Sequence, residues 1–242
     1  IDAVAVTLGK VQRIFAGSVP ISATTVWQLA LPAEVTPASL SAPWSPGHAV
    51  WCEPPHRRQE QNISNAVRED LVLSHAAITA DVEAPFDRVD IAQWLKTLPT
   101  HEYQRCAPGD HKAAGYTVDD DGTPMSINIE MIGTGLVVQQ YRFEVAEAHY
   151  CKMVSLSDIL TPAGWTTTQV IWELRMEQLD GDHCRYTNTV TSHPTDAFLT
   201  FIAENGQTFS EAAEARQEAS GRHCRVETPL YAQSIARWAA AR

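Results

Sequence analysis

The chain has 242 residues, with 18 Lys or Arg against 29 Asp or Glu, and a formal net charge of −11. This length suits one main domain, alone or with an extension, and allows a substantial hydrophobic core. The acidic balance and the lack of a basic stripe exclude a phosphate backbone as a natural partner, so we expect no nucleic-acid binding. The longest apolar runs stop well short of the roughly 20 residues that a membrane helix needs, so we expect no membrane partner.

The five cysteines are scattered along the chain and show no Cys-x-x-Cys spacing. This distribution argues against a disulfide framework and against a four-cysteine zinc site. A reducing, cytoplasmic location is therefore the expectation.

Residues 1–70 form an irregular region in which prolines interrupt every long element. Trp44 and Trp51 lie there among turn-forming residues, which indicates that they are buried somewhere. We interpret residues 1–70 as an N-terminal extension that wraps on the body of the protein or on a second subunit.

Residues 71–84 are rich in Val, Ile, Leu and Thr and predict a strand, and the apolar period of residues 85–99 predicts a helix between Pro85 and Pro99. Six strand-like runs follow, separated by turn-forming residues. Because no helix interrupts them, they predict an antiparallel sheet. The runs are HKAAGYTV (111–118), SINIEMIG (126–133), GLVVQQYRFEVA (135–146), HYCKMVSLSDIL (149–160), TTTQVIWELRMEQL (166–179) and CRYTNTVTSH (184–193).

Residues 195–241 are mostly helical in pattern, with Thr195 or Asp196 as the N-cap and with Gly206 and Gly221 as weak points. The order of elements predicts an α+β protein whose curved sheet wraps around a long C-terminal helix and leaves a cavity between the two. Over residues 71–242 this order resembles the Bet v 1-like, START-type (SRPBCC) helix-grip fold. We therefore predict that residues 71–242 form a helix-grip catalytic domain.

His223 and Glu227 are four residues apart in the last helix, so both side chains can reach one ion. The same spacing occurs at His56 and Glu60, and such pairs arise readily by chance. Taken alone, the pair therefore fits a surface ion pair better than half of a metal site.

The hairpin around residues 119–122 adds a second pair of candidate ligands. A four-residue loop there pairs Val118 with Thr123 and places His111 directly opposite Glu130, on the same face of the sheet. The pattern leaves the face of Glu130 open: an outward Glu130 puts Ile129 inside, and an inward one puts Asn128 inside. With an inward Glu130, the sheet and the helix would together present His111, Glu130, His223 and Glu227, a set of ligands suited to zinc.

Four short patches carry a more specific resemblance: GDHKAAG, INIEMIG with VVQQY, TNTVTSHPT, and HCRVETPLYAQSIARW. They resemble the 2,4-diacetylphloroglucinol hydrolase and phloretin hydrolase family. The resemblance implies a catalytic Zn²⁺ held by these two His and two Glu, and a homodimer formed through the N-terminal part. It also implies hydrolysis of the carbon–carbon bond between an acyl group and a phenolic ring, by attack of zinc-bound water on the acyl carbonyl.

That reaction needs a proton donor for the ring carbon and groups that orient a small aromatic or polyketide substrate. Tyr103, His193 and Asn188 are the candidates. Ala114 departs from the family pattern, since a polar substrate contact is expected three residues after the first His ligand. The alternative hypothesis is a metal-free helix-grip protein that binds or cyclises a polyketide or other aromatic ligand in the same cavity.

Overall fold

The computed structural model describes residues 64–242. The predictions for residues 1–63, including the buried tryptophans and the dimerisation segment, lie outside the described residues. At the start of the described part, Ala66 and Arg68 pair with the end of the last strand: Arg68 N donates to Pro194 O (2.9 Å), and Asp196 N donates to Ala66 O (3.0 Å).

A single seven-stranded antiparallel sheet dominates residues 64–242, with the order β1-β7-β6-β5-β4-β3-β2. All pairings are antiparallel, as expected for strands that follow one another through short turns. The strands are β1 (Ser74–Val82), β2 (His111–Val118), β3 (Pro124–Ile132), β4 (Gly135–Ala146), β5 (Tyr150–Thr161), β6 (Gly164–Gln178) and β7 (Cys184–Pro194).

The predicted helix over residues 85–99 is divided. Phe86–Arg88 form a 3₁₀ turn, and α1 (Ile91–Lys96) begins only at Asp90, whose side chain accepts a hydrogen bond from Gln93 N at 2.9 Å. Pro99 is the N-cap of an additional helix, α2 (Thr100–Cys106), rather than the end of the predicted one. The apolar period was right for α1, but the capping residues set different boundaries.

The C-terminal region forms two helices, α3 (Asp196–Glu204) and α4 (Phe209–Ala240). Thr195 is the N-cap of α3, as predicted, and accepts from Phe198 N at 3.1 Å. Gly206, with φ of 70°, lies in the left-handed region just after α3, where a side chain would be strained. A capping box of Thr208 and Glu211 starts α4, which then continues through Gly221 and Pro229 without interruption.

The helix packs on the concave face of the sheet, as the helix-grip prediction requires. Its C-terminal half, together with α1 and the inner face of β6 and β7, forms the main apolar core, which includes Trp94, Leu174, Tyr186 and Ile235. The cysteines within residues 64–242 are Cys106, Cys151, Cys184 and Cys224, and all four are free and buried. In this part of the chain, no helix is both long and apolar enough to span a membrane.

Candidate metal centre

The four predicted ligands lie together between the sheet and α4. One donor atom from each of His111, Glu130, His223 and Glu227 lies within 4.8 Å of every other, and all four residues are buried. His111 Nε2 is 3.5 Å from Glu130 Oε2 and 3.3 Å from Glu227 Oε2. His223 Nε2 is 3.4 Å and 3.3 Å from the same two oxygens.

A β-bulge brings His111 opposite Glu130. The β2–β3 hairpin pairs Val118 with Pro124, one residue away from the predicted register, and this pairing continues to Ala113 and Ile129. Without a bulge, His111 would oppose Met131 and the side chain of Glu130 would have a different partner. The register shift between His111 and Ala113 restores the pairing of His111 with Glu130.

The inward face of β3 is polar, which settles the question that the sequence left open. Glu130, Asn128 and Ile132 line the cavity under α4, whereas Met131 is on the other face. Asn128 is directly paired with Gln139 of β4, so the two amides share the cavity wall. The sheet therefore contributes a carboxylate and two amides to the cavity, beside apolar and aromatic side chains of the same sheet.

Regular helical geometry in α4 places His223 and Glu227 on the same side. Both are buried, and the distance of 3.3 Å between His223 Nε2 and Glu227 Oε2 requires an unbroken turn between them. Pro229 follows two residues later without ending the helix. The condition that the helix stay regular across this pair is met.

Both imidazoles are oriented through their Nδ1 atoms. His111 Nδ1 lies 2.6 Å from the carbonyl oxygen of Tyr103, and because a carbonyl only accepts, Nδ1 carries the proton. His223 Nδ1 makes the equivalent contact at 3.0 Å with Oδ2 of Asp110, a carboxylate with a side chain 46% exposed. In both rings Nε2 is thus the atom available as a metal ligand, the usual arrangement in histidine metal sites.

Each carboxylate is also held by a neighbour. Tyr103 Oη donates to Glu130 Oε2 at 2.8 Å, and the Tyr103 ring stacks on His111 with centroids 3.7 Å apart. Asn188 Nδ2 donates to Glu227 Oε1 at 2.9 Å, while Asn188 Oδ1 accepts from Trp172 Nε1 at 2.7 Å. These bonds fix the oxygen atoms that face the two Nε2 atoms.

Charges within the cluster shift the pKa values of its members. Burial by itself raises the pKa of Glu130 and Glu227, but the nearby His223 and His111 outweigh it and lower both values. For His223, burial lowers the pKa, and the two carboxylates overcome this effect and raise it to about 12. The cluster thus favours negative oxygens and a positive charge between them.

The donor set fits a zinc ion. His111 Nε2 and His223 Nε2 are buried and have no hydrogen-bond partner within residues 64–242, although each lies near two carboxylate oxygens. Ligands about 2.0–2.2 Å from the centre of a tetrahedron are spaced about 3.3–3.6 Å apart, and the four nitrogen–oxygen separations of 3.3–3.5 Å match that spacing. Two imidazoles and two carboxylates are ligands that zinc accepts.

Two of the three predicted catalytic residues contact the cluster. Tyr103 is fully buried, donates to Glu130 and stacks on His111. Asn188 points inward, as the prediction required, but its amide is occupied by Glu227, Thr228 and Trp172. Both are positioning residues.

His193 lies outside the cluster, which corrects its predicted role as a proton donor. It is five residues from the inward Asn188, and an odd spacing along β7 puts the two side chains on opposite faces of the sheet. Its Nδ1 lies 2.8 Å from the carbonyl oxygen of Leu71.

A small cavity of about 20 Å³ adjoins Glu130, His223 and Glu227. This volume holds about one water molecule. The sequence analysis did not identify several residues of the wall, among them Gln139, Tyr141, Arg216 and Tyr231. Arg216 was predictable from the helical period, since it lies seven residues before His223 and eleven before Glu227. Asp110 was not predictable in this way, because it lies in a turn and contacts His223 on a helix that is distant in sequence.

No protein-family model matches the chain, and no curated protein matches its sequence. Among solved structures it is similar to the Zhui aromatase/cyclase from Streptomyces sp. R1128, at 16% identity and a TM-score of 0.48 over 69% of this chain and 94% of that one. It is also similar to the di-domain aromatase/cyclase BexL of the BE-7585A biosynthetic pathway, at 13% identity and a TM-score of 0.42 over 70% of this chain and 52% of that one.

A START superfamily protein from Mycobacterium smegmatis gives 14% identity and a TM-score of 0.35 over 60% of this chain and 97% of that one. At this level of similarity, these structures carry no information about the substrate or the reaction of this chain.

Proposed function

We propose that this chain is a zinc-dependent hydrolase that cleaves the carbon–carbon bond between an acyl group and a phenolic ring. The observation that carries the proposal is the set of two imidazole nitrogens and two carboxylate oxygens, buried together at tetrahedral spacing with both nitrogens unpartnered among the described residues. The resemblance of the patches around these four residues to the 2,4-diacetylphloroglucinol hydrolase family supplies the reaction type.

The physical reason for a metal is the cost of the cluster without one. Two carboxylates buried within a few ångströms of each other repel, and buried charges are retained when they are paired or bind metals. Supporting bonds from Tyr103, Asn188 and Asp110 hold the donors in place. Such pre-arrangement is expected for a site in which ligand geometry matters, and a purely structural ion pair does not need it.

His111, Glu130, His223 and Glu227 would hold the zinc ion. When bound, zinc would supply Lewis-acid chemistry by lowering the pKa of a water molecule and polarising the acyl carbonyl. The overall hydrolysis adds the water oxygen to the acyl carbon and a hydrogen to the ring carbon, as the bond between these two carbons breaks. The products are a carboxylic acid and the deacylated phenol.

The ring carbon needs a proton, and the cavity wall contains two phenols that hold one. Burial and the charge of the Glu130 and Glu227 carboxylates raise the pKa of Tyr141 and of Tyr231 well above the ordinary value. Both side chains are therefore protonated at neutral pH, and both line the cavity. Because a raised pKa makes a phenol a weaker acid, we assign to this pair the role of hydrogen-bond donors that orient the substrate, in place of His193.

The size of the cavity sets a condition on substrate binding. A benzene ring needs a cavity of roughly 150 Å³, whereas the cavity beside the cluster measures about 20 Å³. Part of the wall must therefore move outward when an aromatic ketone enters.

A metal-free protein that binds or cyclises an aromatic polyketide is the second candidate. The observation that favours it is the aromatic part of the cavity wall, formed by Tyr141, Trp172 and Tyr231. Aromatic side chains bind planar ligands through stacking and edge contacts, and they need no metal for this. This candidate gives no account of the four converging donor atoms.

The test is an assay of acid release from a panel of acylphloroglucinols and related aryl diketones. We expect release from at least one compound by the zinc-loaded protein, loss of release after treatment with a chelator, and recovery when zinc is added back. Release that is unaffected by metal removal, by a protein that stays folded, would overturn the zinc mechanism. Binding of the compounds without release would favour the second candidate.

A further inference from the structure

Arg216 is a cationic side chain in the cavity wall that forms no ion pair with any residue of 64–242. It lies on α4, seven residues before His223, on the face of the helix that covers the cavity. Its Nε atom is shielded from solvent and has no hydrogen-bond partner within residues 64–242. A buried guanidinium nitrogen without an acceptor is costly, which indicates that a water molecule or a ligand in the cavity supplies the acceptor.

Gln139 provides a second unpartnered group on the opposite wall. The residue is 3% exposed, lines the same cavity, and its Oε1 is buried with no partner in the described part of the chain. Its neighbour across the sheet, Asn128, is already engaged, since Asn128 Oδ1 accepts from Ser126 Oγ at 3.0 Å. The unpartnered atom is an acceptor, so Gln139 would donate to an oxygen atom in the cavity only after its amide group turns by 180°, which exchanges Oε1 and Nε2.

If the site held a divalent metal ion, Arg216 would be the charge in the cavity wall that remains without a counter-charge. Among the described residues that line the cavity, Glu130 and Glu227 are the acidic ones. A divalent ion would balance these two carboxylates, and the charge that remains in the wall is then that of Arg216. Burial lowers the pKa of Arg216 while Glu130 opposes the shift, and a guanidinium keeps its proton at neutral pH.

We infer that Arg216 and Gln139 form an oxyanion subsite next to the metal centre, so that the cavity takes ligands carrying a phenolate, enolate or carboxylate oxygen. The inference rests on the proposed function for the identity of the neighbouring ion, and it narrows the substrate class to acyl compounds with an oxyanion. Arg216 would donate from its guanidinium to that oxygen, and Gln139 would donate from its amide.

The experiment compares binding of matched anionic and neutral probes by isothermal titration calorimetry. The carboxylate pair is 4-acetylbenzoate and 4-acetylbenzamide. The phenolate pair is 4-hydroxyacetophenone in alkaline buffer and 4-methylacetophenone. The proteins are the wild-type full chain, Arg216→Gln, Arg216→Lys, Gln139→Leu, and Arg222→Gln as a control for an exposed arginine on the same helix.

We expect wild-type protein to bind at least one anion about tenfold or more tightly than its neutral twin. Arg216→Gln should weaken the anion by about 10- to 100-fold and the neutral twin by less than about twofold. Arg216→Lys should retain part of the preference, Gln139→Leu should lose less than Arg216→Gln, and Arg222→Gln should change neither. The anion that binds more tightly shows whether the subsite prefers a carboxylate or a phenolate.

Equal binding of both members of each pair, no binding of either anion, or equal losses for anion and neutral twin in Arg216→Gln would overturn the inference. Circular dichroism checks that each variant is folded. If Arg216→Gln does not fold, Arg216→Lys takes its place in the test. Zinc content measured on the same samples separates the two proposals. Zinc without anion preference contradicts the subsite alone, and anion preference without zinc contradicts the hydrolase alone.

Discussion

The two ends of the space between α4 and the sheet differ in how they are filled and in how many of their buried polar atoms have hydrogen-bond partners. At the end near α1, Trp94, Leu174 and Ile235 fill the space, and Trp94 Nε1 donates to Ser234 Oγ at 3.2 Å. In the same core, Tyr186 Oη is the one buried side-chain oxygen or nitrogen atom without a hydrogen-bond partner among the described residues. At the other end, His111 Nε2 and His223 Nε2 have no partner in residues 64–242. The same helix thus closes an apolar core and covers an incomplete polar site.

This difference indicates a division between stability and chemistry. Apolar burial at the core end stabilises the fold at roughly 25 cal/mol per Å² removed from water. The polar end costs stability, because buried donors and acceptors without partners are unfavourable. Such a cost is expected where a ligand completes the structure.

The largest effect is expected from removing a metal ligand at the polar end. His223→Ala and Glu227→Gln should each lower acid release from a responsive acylphenol by about 1000-fold or more, because zinc would no longer be held for the reaction. The assay is acid release at saturating substrate. His193→Ala is the matched histidine control, since His193 lies on the other face of the sheet, and it should retain most of the activity; a similar loss in His193→Ala would contradict the placement of the site.

At the core end, Ile235→Ala should reduce the free energy of unfolding by about 2–4 kcal/mol, because Ile235 is fully buried and its truncation leaves a cavity. Urea denaturation of the metal-free protein measures this change. Zinc affinity of the folded variant should stay within about twofold of wild type, since the site is at the other end of the helix. A marked loss of zinc affinity would show that the two ends are coupled.

Tyr103→Phe tests whether the supporting bonds matter. The variant keeps the ring that stacks on His111 and removes the hydrogen bond to Glu130, so zinc affinity should fall by roughly 10- to 100-fold. Competition with a chromophoric chelator measures it. Tyr150→Phe is the control, because Tyr150 Oη donates to Glu173 at 2.6 Å, away from the cluster. Equal losses of zinc affinity in the two variants would contradict the supporting role of Tyr103.

The last prediction concerns pH. The carboxylates raise the pKa of His223 to about 12, so the metal-free protein carries this proton at neutral pH. Zinc binding must release it, and zinc affinity should fall by about tenfold for each unit of decrease from about pH 8 to 6. Chelator competition at several pH values checks the slope. A slope of zero would show that His223 gives up no proton on zinc binding, which would contradict its raised pKa.

The strands were predictable because alternating side chains and turn-forming residues are local signals. The predicted runs for β2 and β4 match the observed His111–Val118 and Gly135–Ala146. The boundaries of α1 and α2 were not predictable from apolar period alone, since Asp90 and Pro99 act as caps that divide the region.

The pairing of His111 with Glu130 was reached through a register that was wrong by one residue. The loop pairs Val118 with Pro124 rather than with Thr123, and the bulge near Lys112 offsets the difference. No residue pattern in β2 signals that bulge. The contact between Asp110 and His223 could not be predicted from the sequence either, because it depends on how α4 lies over the β2 end of the sheet.

Elemental analysis of the purified full chain tests the central claim most directly. We predict about one zinc per wild-type chain, and none in His111→Ala or Glu227→Ala proteins that remain folded by circular dichroism. Wild-type protein that is folded, binds no zinc when zinc is supplied, and shows no change in thermal unfolding on its addition would contradict the account.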